Sequence, residues 1–183
     1  MPAAGKRILL SVRERGVDHK PEEDFAEFYQ RARDGCLRAV YASVGDRALA
    51  EDLTSEAFAR AYASWRKVSR HPAPRAWVVR TALNTHVSWW RRRRREVAWD
   101  LGLDMADAAP GSLALDPALL AALRTLPARQ REVLALRIFL DLDTETTARE
   151  LGIAPGTVRA HLSRATAALR GSLAPAEERG PVR

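Results

Sequence analysis

The side chains best placed to do chemistry lie near the end of the chain, and the chemistry they suit is recognition, not bond-making. Thr157, Arg159, Ala160, Ser163 and Arg164 recur at the three- and four-residue steps of one helix face. A guanidinium can donate two parallel hydrogen bonds to a guanine edge or a phosphate, and Ser or Thr hydroxyls reach bases and phosphates alike. The residues around them fit a helix-turn-helix. That motif needs a small residue where its helices cross, a residue tolerant of positive φ in the turn, and an apolar anchor on the second helix. Ala148, Gly152 and Val158 supply these in order. Leu151 and Ile153 bracket the turn, Pro155 sits where a first-turn proline is harmless, and Val158, Leu162 and Leu169 face inward. The outward residues of such a motif enter the major groove of DNA. An ordinary helix pair would share the glycine but has no need of the basic outward face, beside which His161 reads as a packing or phosphate-contact residue.

A second constellation is Trp89-Trp90 followed by five consecutive arginines, Arg91–Arg95. The run continues a polar face made of Arg80, Asn84, Ser88, Arg91 and Arg95, opposite an apolar face of Ala76, Val79, Leu83, Val87 and Trp90. Asn pairs with adenine and Arg with guanine or phosphate. The net charge of +7 points the same way, and only Lys6, Lys20 and Lys67 of the 30 basic residues are lysine, so nearly all the charge is guanidinium. A third constellation is acidic: Asp46, Glu51, Asp52 and Glu56 gather on the second helix of an otherwise basic chain, a surface that repels DNA and suits a basic protein partner.

Other classes find less support. There is no phosphate-cradling glycine loop, no nucleophile motif and no His/Asp/Glu cluster at metal spacing, so neither enzymatic activity nor a cofactor is expected. The single cysteine, Cys36, excludes an internal disulfide and reads as a small core residue. No apolar run approaches the roughly 18 residues of a membrane span, Ile8–Val12 is too short for a signal peptide, and a cytoplasmic protein without membrane contact is expected. A one-component repressor or response regulator would need strand–helix alternation in its first half, which is absent; a stand-alone helix-turn-helix regulator is the alternative within DNA binding.

The elements that position these residues are all helices, in an all-α chain of two small domains. Residues 1–20 lack periodicity and read as an arm. From Pro21, Phe25, Phe28, Ala32, Cys36, Ala39 and Val40 mark one helix face. Asp46 caps a second helix striped by Leu49, Leu53, Ala57, Ala61 and Trp65. Lys67–Pro74 reads as a loop, and a third helix starts near Arg75. Between Val97 and Leu123 there is no Lys or Arg, while four aspartates gather around a Pro-Gly-Ser stretch, which reads as a flexible acidic linker over residues 100–116. Asp116-Pro117 caps the second domain, placed at 117–173, in which Pro127 opens a helix packed through Val133, Leu136 and Leu140, and residues 174–183 form a tail.

Four ordered motifs resemble one family. Ala50-Glu51-Asp52-Leu53-Thr54-Ser55-Glu56-Ala57-Phe58 and Arg80-Thr81-Ala82-Leu83-Asn84 look like region 2 of extracytoplasmic-function sigma factors of the sigma-70 family. Leu126-Pro127-Ala128-Arg129-Gln130-Arg131-Glu132-Val133 and Gly156-Thr157-Val158-Arg159 look like their region 4. Asn84–Arg91 is further similar to an actinobacterial sigma-E-like subgroup. The resemblance implies a promoter-specificity subunit of RNA polymerase. Asp52, Leu53 and Glu56 would dock on the clamp helices of core polymerase, with the flap as a further contact. The loop Val68, Ser69, Arg70 and His71 would receive a base flipped from the minus-ten element, at a cost of a few kcal/mol that pocket and phosphate contacts must repay. Arg80, Asn84, Ser88, Arg91, Arg92 and Arg95 would hold the adjacent DNA, and Thr157, Arg159, Ala160, Ser163 and Arg164 would read the minus-thirty-five element. An anti-sigma factor is a candidate further partner, and the acidic linker would thread the RNA exit path. Ser55 departs from the family's usual glutamine, and Thr146-Thr147 makes the first helix of the turn motif more polar than usual.

Overall fold

The structure, a computed structural model, describes residues 21–96 and 115–174; the expected arm, most of the expected linker and nearly all of the tail lie outside them. The described residues form eight α-helices: α1 (Pro21–Val44), α2 (Arg47–Ala63), α3 (Trp65–Val68), α4 (Pro74–Glu96), α5 (Pro117–Thr125), α6 (Ala128–Leu134), α7 (Thr144–Leu151) and α8 (Pro155–Leu173), with a π-helical turn over Ala135–Phe139.

Most helix ends follow from single residues. Gly45, at φ 80°, ends α1 in the left-handed region that favours glycine. The Asp46 carboxylate accepts the Leu49 N–H at 2.9 Å and so opens α2. Asp116 accepts the Ala118 N–H at 2.7 Å, with Pro117 in the first turn where a missing N–H costs nothing. Asp143 accepts both the N–H and the hydroxyl of Thr146, at 2.6 and 2.8 Å, to start α7, and these bonds hold its carboxyl below the usual aspartate range.

In the N-terminal module α1, α2 and α4 pack through small side chains. Ala32, Cys36, Ala39 and Val40 meet Ala50, Leu53, Ala57 and Ala61, with Ala76, Val78, Val79 and Ala82 closing the bundle, all essentially inaccessible. Burial pushes the Cys36 thiol up to about 12, against the smaller opposing effect of nearby Arg75. An aromatic layer seals one end: Phe28 lies 5.0 Å from Trp65, and Tyr29 meets Phe58 edge-on at 4.9 Å. The expected loop Lys67–Pro74 begins late, because Lys67 and Val68 complete the short helix α3. The apolar face expected on α4 is also corrected. Ala76 and Val79 are buried, but Val87 is 40% exposed, and Val78, Ala82 and Thr85, again at helical spacing, turn inward instead. The Trp90 side chain lies outside the described residues.

The two modules are packed on each other. Leu120, Ala135, Leu136 and Leu140 of the C-terminal module belong to the same apolar cluster as α1, α2 and α4. The π-helical turn presents Ala135 and Leu136 to that cluster, its bonds running from Leu140 N–H to Ala135 O at 3.2 Å and from Leu142 N–H to Leu136 O at 3.1 Å. Polar contacts extend the seam: Arg131 Nε donates to Ser43 O at 2.7 Å, and Arg124 donates to Gly45 O. Two smaller clusters complete the C-terminal module, one of Leu123, Leu126, Leu134 and Ala165, the other of Val133, Ala148 and Val158.

Candidate nucleic-acid interface

The helix-turn-helix has the geometry its spacing implies. Gly152 sits at φ 64°, ψ 38°, and the chain leaves α7 with the Ile153 N–H bonded to Ala148 O at 3.1 Å. Pro155 occupies the first turn of α8. Val158, fully inaccessible, packs against Ala148 and Val133, which sets the angle between the two helices. The polar Thr147 is equally buried, its hydroxyl bonded to Asp143 O at 2.8 Å, so the extra threonine is satisfied within its own turn. With Val158 and Ala165 inward, α8 exposes Thr157, Arg159, Ser163 and Arg164, with Ala160 half-buried between them. His161 is half-buried with its Nδ1 buried and without a hydrogen-bond partner among the described residues.

The N-terminal DNA face is divided. Ser69 and Arg70 are exposed after α3, as are Asn84 and Ser88 on α4. Val68 is not part of that surface: at 1% exposure it is a core residue, because the short helix α3 turns it into the bundle. Arg91, Arg92 and Arg95 lie in the last turns of α4, with side chains outside the described residues. His71 Nδ1 accepts the Ala73 N–H at 3.1 Å, which aims Nε2 at Glu150 Oε1, 3.6 Å away. Arg80 donates to Glu150 Oε2 at 3.1 Å. Glu150 is the residue missed in the sequence. It lies on α7, 70 positions beyond Arg80, and nothing in its local pattern signals a partner.

On α2, Asp52 and Glu56 are exposed and Leu53 is wholly buried, so the acidic residues form the accessible surface and Leu53 supports it from the core. Glu56 pairs with Arg60 at 2.9 Å, and Arg60 also donates to the Thr85 hydroxyl at 2.8 Å, which ties α2 to α4. Glu51 pairs with Arg47 at 3.0 Å. Among the described residues no cluster of three His, Cys, Asp or Glu could hold a metal, and no helix is long and apolar enough to cross a membrane.

The seam between modules carries a titratable group. Burial, with a smaller contribution from the Arg131 charge, holds His86 below the ordinary histidine value. The unfolded chain therefore takes up a proton near pH 6.5 that the folded chain resists, so stability is full above that value and falls as the pH drops through it. Melting at pH 7.5 and 5.5 is expected to show a larger loss for the native chain than for His86→Gln; equal losses would remove His86 from the account.

Comparison with known proteins follows this geometry. Residues 28–96 match the family model for sigma-70 region 2, and residues 117–169 that for sigma-70 region 4. The chain is similar to the RNA polymerase sigma-E factor of Streptomyces coelicolor, 34% identical over 152 residues that cover 82% of this chain and 86% of the relative. It is similar to the extracytoplasmic-function (ECF) sigma factor SigW of Bacillus subtilis, 27% identical over 182 residues and covering 91% and 97% of the two chains. Among solved structures it resembles the sigma factor RpoE in complex with the anti-sigma factor NepR from Bartonella quintana, with TM-score 0.69, 26% identity, and coverage of 82% of this chain and 97% of that one.

Proposed function

The chain belongs to the sigma-70 family of RNA polymerase sigma factors, in its extracytoplasmic-function branch, and from that premise we propose how its two modules divide the promoter. The C-terminal module reads the minus-thirty-five element through Thr157, Arg159, Ala160, Ser163 and Arg164. The N-terminal module takes the minus-ten element through Ser69, Arg70, His71, Arg80, Asn84 and Ser88, with the arginines that end α4 on the flanking phosphates. Asp52 and Glu56 dock on the clamp helices of core polymerase, and the C-terminal module meets the flap. An anti-sigma factor is a further partner, as for the RpoE relative. The site of action is the cytoplasm, on the nucleoid when the chain is part of holoenzyme.

The observation that carries this reading is the exposure, in one chain, of a DNA-reading face on α8 and an acidic face on α2. DNA repels the second, so the molecule needs a protein partner as well as DNA. The stand-alone regulator is not favoured, since the family match spans the N-terminal module too. The deciding experiment mixes the purified chain with core polymerase and genomic promoter DNA. A stable holoenzyme that initiates transcription is expected, and failure to bind core at low salt would sink the reading whatever the DNA affinity.

The division of labour has its own test. Arg164→Ala is expected to weaken binding by about 1–3 kcal/mol, with selectivity lost at one position of the upstream element. Arg93→Ala should weaken all sequences alike and lower the slope of affinity against salt by about one ion. Equal, sequence-blind losses from both would contradict the assignment.

A further inference from the structure

Two residues assigned above to minus-ten DNA, Arg80 and His71, converge on one carboxylate of the other module. Glu150 is only 7% exposed at its side chain and offers Oε2 to Arg80 at 3.1 Å and Oε1 to His71 at 3.6 Å. A carboxylate presents paired oxygens to a guanidinium much as a phosphate does. We propose that Glu150 is an internal competitor for promoter DNA: in the free chain it occupies Arg80 and His71, and the N-terminal module takes the minus-ten strand only after the C-terminal module is drawn off it. The inference rests on the sigma-factor reading given above.

The contact is one end of a continuous seam. Leu120, Ala135, Leu136 and Leu140 join the N-terminal core, Arg131 bonds Ser43 O, and Arg124 bonds Gly45 O. A polar cleft beside Glu150, lined by Arg80, Asn84, Arg129, Glu132 and Leu136, places exposed Asn84 at its edge, so DNA on that face of α4 meets the C-terminal module. The other two working surfaces stay open in the same arrangement: Asp52 and Glu56 on α2, and Arg159 and Arg164 on α8. The closed chain can therefore dock on core polymerase and cannot fully engage the minus-ten strand, which orders the events: core first, separation of the modules second, minus-ten capture third.

The test uses the full chain without polymerase and a fluorescent forked DNA carrying the minus-ten sequence of a promoter that the holoenzyme transcribes. Apparent affinity scales with the fraction of open molecules, so Glu150→Gln is expected to bind about threefold to tenfold tighter than the native chain. Loss of any acidic residue favours DNA, so Glu145→Gln, at an exposed position on the same helix, is the control and should change little. Arg124→Ala discriminates by sign: it deletes a positive charge, which by itself weakens DNA binding, yet it loosens the seam and is expected to tighten it. Module separation is read independently from labels on Glu27→Cys and Ala167→Cys, both exposed positions, since the buried Cys36 thiol does not react. The native chain should give one short, narrow distance, and Glu150→Gln and Arg124→Ala should add longer ones. A broad distance distribution in the native chain, or tightening by both glutamines with none from Arg124→Ala, would overturn the proposal. If the native chain forms no holoenzyme, the sigma reading fails by that result, while the distances still report on the closed state.

Discussion

Val158→Asp is expected to abolish recognition of the upstream element while leaving assembly with core polymerase through α2 in place. Val158 has no accessible surface and is the point at which α8 rests on Ala148 of α7 and on Val133 of α6. An ionised carboxylate there has no listed-type partner to pair with: its neighbours in that cluster are apolar, so the effective penalty is several kcal/mol. The stability of a module of this size is itself only about 3–9 kcal/mol. The helices must therefore part, and the face carrying Thr157, Arg159, Ser163 and Arg164 loses its orientation. Binding to upstream-element duplex should fall by at least about a hundredfold, since every base contact depends on that angle. Val158→Ala, which only trims the contact, should bind with a much smaller loss. Hydrogen exchange along α7 and α8 checks the cause: fast exchange confined to the C-terminal module supports it, and a native-like exchange pattern with intact upstream binding contradicts it.

The second large effect is expected from Asp52→Arg combined with Glu56→Arg. Both side chains are exposed, so reversal costs the fold little, although it also breaks the surface pair of Glu56 with Arg60. Against a basic partner surface each reversal turns attraction into repulsion, which costs several kcal/mol for the pair of changes. Affinity for core polymerase should fall on the order of a hundredfold, with little change in melting temperature and with upstream DNA binding by the free chain preserved or raised. Unaltered core affinity would move the docking surface elsewhere on the molecule.

What could be read from the chain alone was mostly local. Asp46, Asp116 and Pro117 act within three residues of themselves, and Gly152 answers a backbone demand made at one position, so these features appear in the structure where the spacing places them. Periodicity was a weaker guide where a helix is covered from more than one side. On α4, which meets both α1 and α2, the pattern pointed to Val87, and packing chose Val78, Ala82 and Thr85 instead. Leu53 shows how a motif can mislead about exposure, because it sits inside a partner-docking pattern and serves the core beneath it. The seam was illegible for a different reason. Ser43 with Arg131 and Arg80 with Glu150 are 88 and 70 residues apart, and contacts at such separations leave no local trace. The π-helical turn that carries Leu136 into the N-terminal core has no compositional mark either.

Cys36 closes the account from another direction. It is the sole thiol of the sequence, wholly inaccessible at the centre of the N-terminal bundle and pushed up to about 12 by burial. Oxidants and metals act on thiolates that solvent can reach, and at neutral pH this one is neither ionised nor reachable. The chain is thus insulated from thiol oxidation by its own packing. A stress signal of that kind reaches transcription through this molecule only when another protein senses it and passes it on by binding or release.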